Sequence, residues 1–373
     1  MGDAGGRAVL VEFIVMKLNC QVEVRSDVEH VRQIYAGYSL LHRGGFLDLK
    51  QIIPDDVLED RSDPDRWTDY RFFNVKVVIN GTVRVLYDLH DRGWIDEEIL
   101  AGVDFYFKRS FDREYVSGLS EGKKVSPLGL NYPVSTSHVD LFKLQRARLY
   151  SGKDKLKMIA KALRLDRLGI RPGETDILDN LEEGPNPVGE PRILYMARLW
   201  DPEHLESKTQ SDTVREMNDM RAECVRLLRK EFGTRFFGGL ARDDYSLRNY
   251  ADCVLADTSL SNKRNYLKTL RGFPICVATT GLSGSNGWKL GEYTAFSKAI
   301  ITEPLRFVVT GDFQPESNYL EFRTPVDLAA AAARLLENAN LRHEMMRNNQ
   351  RYYEAYVRPE ALVRNTLDIA LSL

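Results

Sequence analysis

The feature that most constrains this chain is an alternation of short β-rich runs with amphipathic helical patterns, which occurs in two blocks. In the first block, Asp27 is expected to cap a helical pattern that ends at Gly44 and Gly45, and the Asn80-Gly81 pair separates two β-rich runs as a turn signal. The alternation predicts βα units on a mainly parallel sheet. The predicted strands are residues 8–16, 46–53, 72–79, 83–86 and 103–108, with helices over 28–41 and 95–101.

A stretch rich in proline, glycine and acidic residues over 171–190 follows a basic helical region at 141–168 and has the composition of a linker. The alternation then restarts, with strands predicted at 192–197, 235–238, 253–256, 275–278 and 299–302 and helices at 213–232, 326–356 and from Pro359 onward. We therefore predict an α/β fold with two Rossmann-like domains facing across a cleft, at 1–184 and 185–357, and a closing helix at 358–373. The cleft is the expected ligand site, because open α/β sheets bind ligands beyond the carboxyl ends of their strands.

Composition excludes several classes of protein. The 52 Lys and Arg residues balance 54 Asp and Glu residues along the 373-residue chain, so no basic footprint for nucleic acid is present. Four widely spaced cysteines without a CxxC pair indicate buried thiols in a reducing compartment. The apolar run at 8–16 is too short to span a membrane, and the sequence around it lacks the features of a secretory signal, so we expect a cytoplasmic protein. One basic helical face predicts either a solvated surface or peripheral contact with an anionic membrane: Lys153, Lys155, Lys157, Lys161 and Arg164.

The segment 283–292 is the most informative for chemistry. Small residues, among them Ser285 and Asn286, precede a predicted helix, and such a turn lets backbone N–H groups approach a phosphate. Lys289 adds a full positive charge, and Glu292, one turn into the helix, could accept hydrogen bonds from a ribose diol. The alternative is an ordinary glycine-rich turn with an acidic residue in the first helical turn. The segment matches neither the P-loop nor the dinucleotide fingerprint, and no GxSxG nucleophile elbow or HExxH helix stands out in the sequence.

Two sequence runs resemble a known family. SGSNGWKLGEYTAFSKAIITEPL, at 283–305, and TPVDLAAAAARLLEN, at 324–338, look like the nucleotide-sugar-binding domain of GT-B glycosyltransferases. Residues 193–199 are similar to the first strand of that domain, where an arginine, here Arg198, contacts the phosphates. The resemblance spans roughly residues 190–370. It implies a GT-B fold whose closing helix packs back toward the first domain.

The same resemblance implies a function. It points to a glycosyltransferase of the kind used in polysaccharide biosynthesis, with a nucleotide-diphosphate sugar as donor and a glycan, glycolipid or small-molecule hydroxyl as acceptor. Many retaining members carry two glutamates separated by seven positions, and Gly284 stands here where the first would be. The stereochemical course therefore stays open. Two alternatives also stay open, a nucleotide-sugar epimerase of the same fold and a catalytically silent nucleotide-sugar-binding module.

Sugar transfer requires charge neutralisation on the departing diphosphate and a base for the acceptor hydroxyl. Lys289, Arg198 and Lys263 are the candidate cations, and without a convincing DxD pair we predict neither a metal site nor a cofactor beyond the donor. The candidate bases are three residues just past the strand at 83–86, namely Asp88, His90 and Asp91. The alternative for them is an Asp-capped helix start with a structural histidine. His30 is expected to be a surface or core residue.

Overall fold

The computed structural model describes residues 17–55, 57, 70–136, 138, 141–165, 176–186, 190–204 and 208–372. The strand expected at 8–16 lies outside the described residues, as do residues 171–175 and 187–189 of the expected linker.

The first sheet contains six strands in the part of the chain that the structure describes. Their order is β2-β1-β3-β4-β5-β6, and β3 alone among them runs antiparallel to its neighbours. The strands are β1 (Leu18–Glu23), β2 (Leu47–Ile52), β3 (Asn74–Ile79), β4 (Val83–Asp88), β5 (Phe105–Lys108) and β6 (Val125–Pro127). The associated helices are α1 (Arg32–Arg43), α2 (Glu97–Ala101), α3 (Arg113–Ser117), α4 (Leu141–Arg146), α5 (Gly152–Ala162) and α6 (Leu178–Leu181).

Turn chemistry explains the hairpin between β3 and β4. Asn80 and Gly81 have φ values of 50° and 75°, which is the left-handed pair that a two-residue hairpin turn requires. The predicted turn is therefore confirmed. Asp27, in contrast, does not cap α1, because its buried carboxylate lies 3.1 Å from Arg146 Nε and α1 begins without a side-chain cap.

The second sheet is parallel throughout its described strands, in the order β11-β10-β9-β7-β8. The strands are β7 (Ile193–Ala197), β8 (Phe236–Leu240), β9 (Ile275–Ala278), β10 (Ala299–Thr302) and β11 (Tyr319–Glu321). The order reverses between β7 and β9, which is where doubly wound sheets bind ligands. The strand expected at 253–256 is wrong, since residues 251–253 form a 3₁₀ turn and Val254 makes only an isolated bridge to Leu240.

Helices cover both faces of the second sheet. They are α7 (Lys208–Phe232), α8 (Asp244–Asn249), α9 (Lys263–Arg271), α10 (Trp288–Ala295), α11 (Pro325–Glu337) and α12 (Ala339–Tyr352). The predicted fold class is confirmed as an α/β protein with two Rossmann-like sheets. Among the residues that the structure describes, every helix is too short or too polar to cross a bilayer.

The last helix, α13 (Pro359–Leu371), returns to the first lobe, the part of the molecule built on the first sheet. It packs against α1, and Leu362, Val363 and Leu367 are buried in the first-sheet core. Gly37 on α1 permits the close approach, because a Cβ there would collide with the Pro359 carbonyl.

The four cysteines are buried and free, as predicted. Burial raises the pKa of Cys20, Cys224 and Cys276 to about 12, so these thiols are not nucleophiles at neutral pH. Their role is packing.

Candidate functional site

The loop between β9 and α10, residues 279–287, lies at the point where the strand order of the second sheet reverses. Ser283 and Gly284 adopt left-handed φ values of 60° and 71°, which fold the loop back before the helix. Gly287 begins α10 without a side-chain cap, so no side chain satisfies the first-turn N–H groups of this helix. This is the local arrangement that the glycine-rich sequence predicted.

Lys289 points into the protein rather than into bulk solvent. Its ammonium donates to the carbonyl oxygen of Met196 at the carboxyl end of β7. Burial lowers the pKa of Lys289 to about 8. The nearby Glu292 carboxylate raises this pKa, whereas the positive charges of Arg221 and Lys263 lower it further. The lysine is thus a half-buried cation whose hydrogen-bond acceptor is a neutral carbonyl.

Glu292 is only 4% exposed and is engaged at both oxygens. Oε1 accepts from Lys263 Nζ, and Oε2 accepts from the Tyr266 hydroxyl at 3.1 Å. The sequence predicted Lys263 and Glu292 as two independent residues of the donor site, whereas in the structure they form an ion pair with each other. A ribose role for Glu292 stays a prediction and requires Lys263 to release one oxygen.

Arg221 completes this group of cations and was missed by sequence reasoning. It lies in the middle of α7, is 2% exposed, and donates to the Arg198 carbonyl at 2.5 Å and the Thr280 carbonyl at 2.6 Å. Arg198 contributes that carbonyl, while its own guanidinium is exposed and lies over the Trp200 ring at 5.6 Å. Arg221 therefore ties the end of β7 to the loop after β9.

Ser285 and Asn286 are both buried, and Asn286 contacts the first lobe. The Asn286 carbonyl accepts from Arg109 Nη2 of the first lobe at 2.8 Å, and its side-chain amide donates to the Phe307 carbonyl at 3.1 Å. Oδ1 of Asn286 is buried without a hydrogen-bond partner. Asn286 thus holds the loop against the first lobe.

Asp88 does not fit its expected role as an acceptor base. It is fully buried and accepts hydrogen bonds from Lys108 Nζ at 2.7 Å, the Tyr106 hydroxyl at 2.6 Å, the Tyr70 hydroxyl at 2.8 Å and the His90 amide at 2.9 Å. A carboxylate with four donors and no solvent access cannot take a proton from a substrate. Asp88 is a structural ion-pair partner.

His90 is also poorly placed as a base. Its Nδ1 accepts the Arg92 amide at 3.1 Å, so the neutral ring carries its proton on Nε2, the other nitrogen. Burial lowers the pKa of His90, which keeps the ring neutral. The ring also packs against Tyr70 and Phe73, each at 5.3 Å between centroids. These contacts match the structural alternative for this histidine.

Asp91 remains at the interface between the lobes, paired with the Arg109 guanidinium. Burial alone would raise its pKa, but Arg109, His30 and His90 together hold the pKa of this carboxyl well below its usual range. Asp91 is thus a stable anion, suited to orienting a histidine rather than to accepting a proton itself.

His30 is the first-lobe residue that sequence reasoning missed. Its Nε2 lies 3.8 Å from Asp91 Oδ2, and its ring meets the ring of Trp288, the first residue of α10, edge-on at 4.7 Å. The Asn131 side-chain amide donates to the His30 carbonyl at 3.1 Å and fixes the backbone. Sixty-one positions separate His30 from Asp91, so no local motif could show this pair.

A cavity of about 820 Å³ lies on the other side of the same loop. It is bounded by the first half of α7, residues 280–284 and Glu303, with Arg92 contributed by the first lobe. None of the nine site residues predicted from the sequence lines it. Within the described ranges, no three His, Cys, Asp or Glu side chains lie close enough together to hold a metal ion.

The chain is similar to several solved structures. Sucrose-phosphate synthase from Thermosynechococcus elongatus shares 13% identity at a TM-score of 0.36 and covers 90% of each chain. The C-terminal domain of a group 1 glycosyl transferase, LpcC, from Francisella tularensis has 13% identity and a TM-score of 0.32, over 48% of this chain and 95% of that one. A putative UDP-N-acetylglucosamine 2-epimerase from Listeria monocytogenes has 12% identity and a TM-score of 0.34, over 72% of this chain and 59% of that one.

No known protein family matches this sequence by its sequence profile. No curated protein matches it either. The function proposed below therefore rests on the site itself.

Proposed function

We propose that this protein is a glycosyltransferase that moves a sugar from a nucleotide-diphosphate donor to a hydroxyl acceptor. One observation carries the proposal. At the strand-order reversal of the second sheet, Lys289 lies near Lys263 and Arg221, beneath a glycine-rich loop held against the opposite lobe, and its ammonium donates to a neutral carbonyl rather than to a carboxylate. A cation with a neutral acceptor, beside further positive charge, suits a dianionic ligand.

The donor diphosphate takes its place at Lys289 and the start of α10. A phosphate oxygen is a stronger acceptor for an ammonium group than the Met196 carbonyl that Lys289 now contacts. The uncapped first-turn amides of α10 add partial positive charge at the same place. In this proposal the chain's own cations neutralise the leaving diphosphate, so the reaction needs neither a metal nor a cofactor besides the donor.

We assign the acceptor base to His30, with Asp91 as the residue that orients it. The acceptor hydroxyl gives its proton to the imidazole, its oxygen forms a bond to the anomeric carbon, and the bond from that carbon to the diphosphate oxygen breaks with its electron pair. A 3.8 Å separation is long for a hydrogen bond, and such contacts often tighten when substrate binds. A single displacement of this kind inverts the anomeric centre, in keeping with Gly284 at the position of a missing glutamate.

The same proposal places the protein in the cytoplasm. Its four free, buried cysteines support a reducing compartment.

Thermal denaturation with UDP, GDP, CDP or TDP tests the proposal. A ligand at a hundred times its Kd stabilises the folded state by about 2.7 kcal/mol, so one nucleotide should raise Tm selectively. Lys289→Met should remove that rise. If none of the four raises Tm, the proposal is wrong.

A donor incubated with the protein then separates the remaining alternatives. A transferase releases nucleoside diphosphate by slow hydrolysis or by transfer to an acceptor. An epimerase changes the configuration of the sugar without an acceptor, and a silent module binds the donor and leaves it intact.

A further inference from the structure

The cavity of about 820 Å³ behind the loop at 280–284 has no part in the donor site proposed above. It opens beside the carboxyl ends of β9, β10 and β11, and the first half of α7 forms its opposite wall. Arg92, adjacent in sequence to Asp91, reaches it from the first lobe. The cavity is therefore next to the donor loop, and Arg92 follows the residue that pairs with the proposed base His30.

Glu303, at the carboxyl end of β10, lies in the cavity wall and is 6% exposed. Its Oε2 accepts from the Thr280 amide and from the Thr280 hydroxyl, both at 2.6 Å. Its Oε1 is buried and has no hydrogen-bond partner. A buried carboxylate oxygen without a donor is costly, so a ligand that supplies a hydroxyl group to Glu303 gains binding free energy.

Three arginines give the cavity a positive rim. Arg306 lies 3.6 Å from Asp112, and Arg323 lies 2.6 Å from Glu321; both guanidinium groups are exposed. Exposed pairs of this kind contribute little to stability, so the arginines can exchange them for a ligand anion at small cost. Guanidinium groups match the geometry of phosphate and carboxylate groups.

The remaining wall is apolar enough to cover the C–H faces of a sugar ring. It is formed by Val214, Met217, Met220, Leu282 and Phe322. A ligand suited to this cavity thus combines hydroxyl groups, an apolar face and a negative charge.

We propose that this cavity binds an anionic polyol, a sugar or sugar alcohol that carries a phosphate or carboxylate group, and that this molecule is the acceptor. The anionic group lies against Arg92, Arg306 and Arg323, and a hydroxyl donates to Glu303. The acceptor role rests on the proposed transferase function. The binding site itself rests on the cavity alone.

Isothermal titration of the full chain with glucose 6-phosphate and with glucuronate tests the site, with glucose and inorganic phosphate as controls. At least one of the two anionic sugars should bind more tightly than either control. Glu303→Gln should weaken that binding about ten- to a hundredfold, because the amide oxygen keeps the Thr280 hydrogen bonds while the charged acceptor for the ligand is lost. Arg92→Gln should weaken it several-fold, and Glu216→Gln, at the exposed edge of the same cavity, should leave it unchanged or tighter.

The outcomes separate this proposal from the proposed function. If neither anionic sugar binds at about 10 mM, or if Glu303→Gln binds it as the natural chain does, the cavity proposal is wrong. If binding is lost in Lys289→Met and kept in Glu303→Gln, the anion occupies the donor site and the cavity proposal is again wrong. If no nucleoside diphosphate binds but sugar binding depends on Glu303, the site stands and the transferase proposal fails. Tm of each variant, measured without ligand, checks that the fold is intact.

Discussion

The Asp88–Lys108 pair of the first lobe and the Glu292–Lys263 pair of the second are both ion pairs with a buried carboxylate, but their surroundings differ. Asp88 and Lys108 have fully buried side chains, and two tyrosine hydroxyls and a backbone amide satisfy the rest of the carboxylate. In the second pair the Lys263 side chain keeps 29% of its surface exposed, and the half-buried Lys289 lies nearby.

The difference shows how a structural pair is distinguished from a ligand site. In the first lobe each charge has its counter-charge and its hydrogen bonds, so an added ligand would have to break them. In the second lobe Lys289 donates to a neutral carbonyl, and it lies with Lys263 under a loop at the lobe interface. A cation whose acceptor is neutral indicates binding, whereas a closed pair of opposite charges indicates stability.

The largest effect is expected from breaking the closed pair. Asp88→Asn leaves Lys108 buried without its counter-charge and should lower the free energy of unfolding by about 3–5 kcal/mol, measured by urea denaturation. Asp88→Leu combined with Lys108→Met should recover much of that loss, because no charge remains buried. A loss below about 1 kcal/mol in Asp88→Asn would contradict a structural role for the pair.

Replacing the proposed base should affect turnover and leave donor binding intact. His30→Gln should lower kcat at least about a hundredfold, the usual contribution of a general base. His90→Gln is the matched control, and its kcat should change only a few-fold because His90 Nδ1 is already bonded to the Arg92 amide. Equal losses of kcat in both variants would contradict the assignment of His30 as the base.

The affinity for nucleoside diphosphate should fall as pH rises. Because burial lowers the pKa of Lys289 to about 8, its protonated fraction drops from about nine-tenths at pH 7 to about one-tenth at pH 9, which weakens binding about tenfold. Titration calorimetry at several pH values measures this change. Lys289→Met should bind weakly and show a flat profile over the same range.

The lowered pKa of Lys289 has the opposite effect on the free energy of unfolding, which should rise with pH. In the unfolded chain the lysine has its ordinary pKa of 10.5, so between pH 8 and that value the unfolded state binds more protons than the folded state. The contribution of Lys289 to the free energy of unfolding therefore rises with pH across this window. If the free energy of unfolding of Lys289→Met depends on pH in the same way as that of the natural chain, the lowered pKa is contradicted.

The smallest effect is expected from an exposed pair. Arg226 and Asp252 form two hydrogen bonds, of 2.6 and 2.9 Å, with both side chains about half exposed. Asp252→Asn should cost less than about 1 kcal/mol of unfolding free energy in urea denaturation. A cost as large as that of Asp88→Asn would mean that burial does not govern these pairs.

Local sequence signals predicted most of the second sheet and the hairpin of the first. The apolar runs at 275–278 and 299–302 form β9 and β10, and Asn80-Gly81 forms the expected turn. The short strands β6 and β11, of three residues each, gave no periodic signal and were not predicted, and β1 was not predicted either. The antiparallel direction of β3 follows from its pairing with β1 and β4, which periodicity does not encode.

The candidate site was predictable only where its residues are contiguous. The loop, the helix start and Lys289 lie within ten positions of one another, so their residue types alone indicated an anion site. The Lys263–Glu292 pair spans 29 positions, and the contacts of His30 and Arg221 join separate elements. Only the fold brings these groups together, which explains why Asp88 and His90 were chosen from the sequence and His30 was not.

The most direct measurement is a crystal structure of the full chain with the nucleoside diphosphate that stabilises it. We expect a diphosphate oxygen within hydrogen-bond distance of Lys289 Nζ and of the first N–H groups of α10, with His30 facing the same space. A diphosphate bound in the neighbouring cavity against Arg306 and Arg323, with Lys289 still bonded to the Met196 carbonyl, would contradict this expectation.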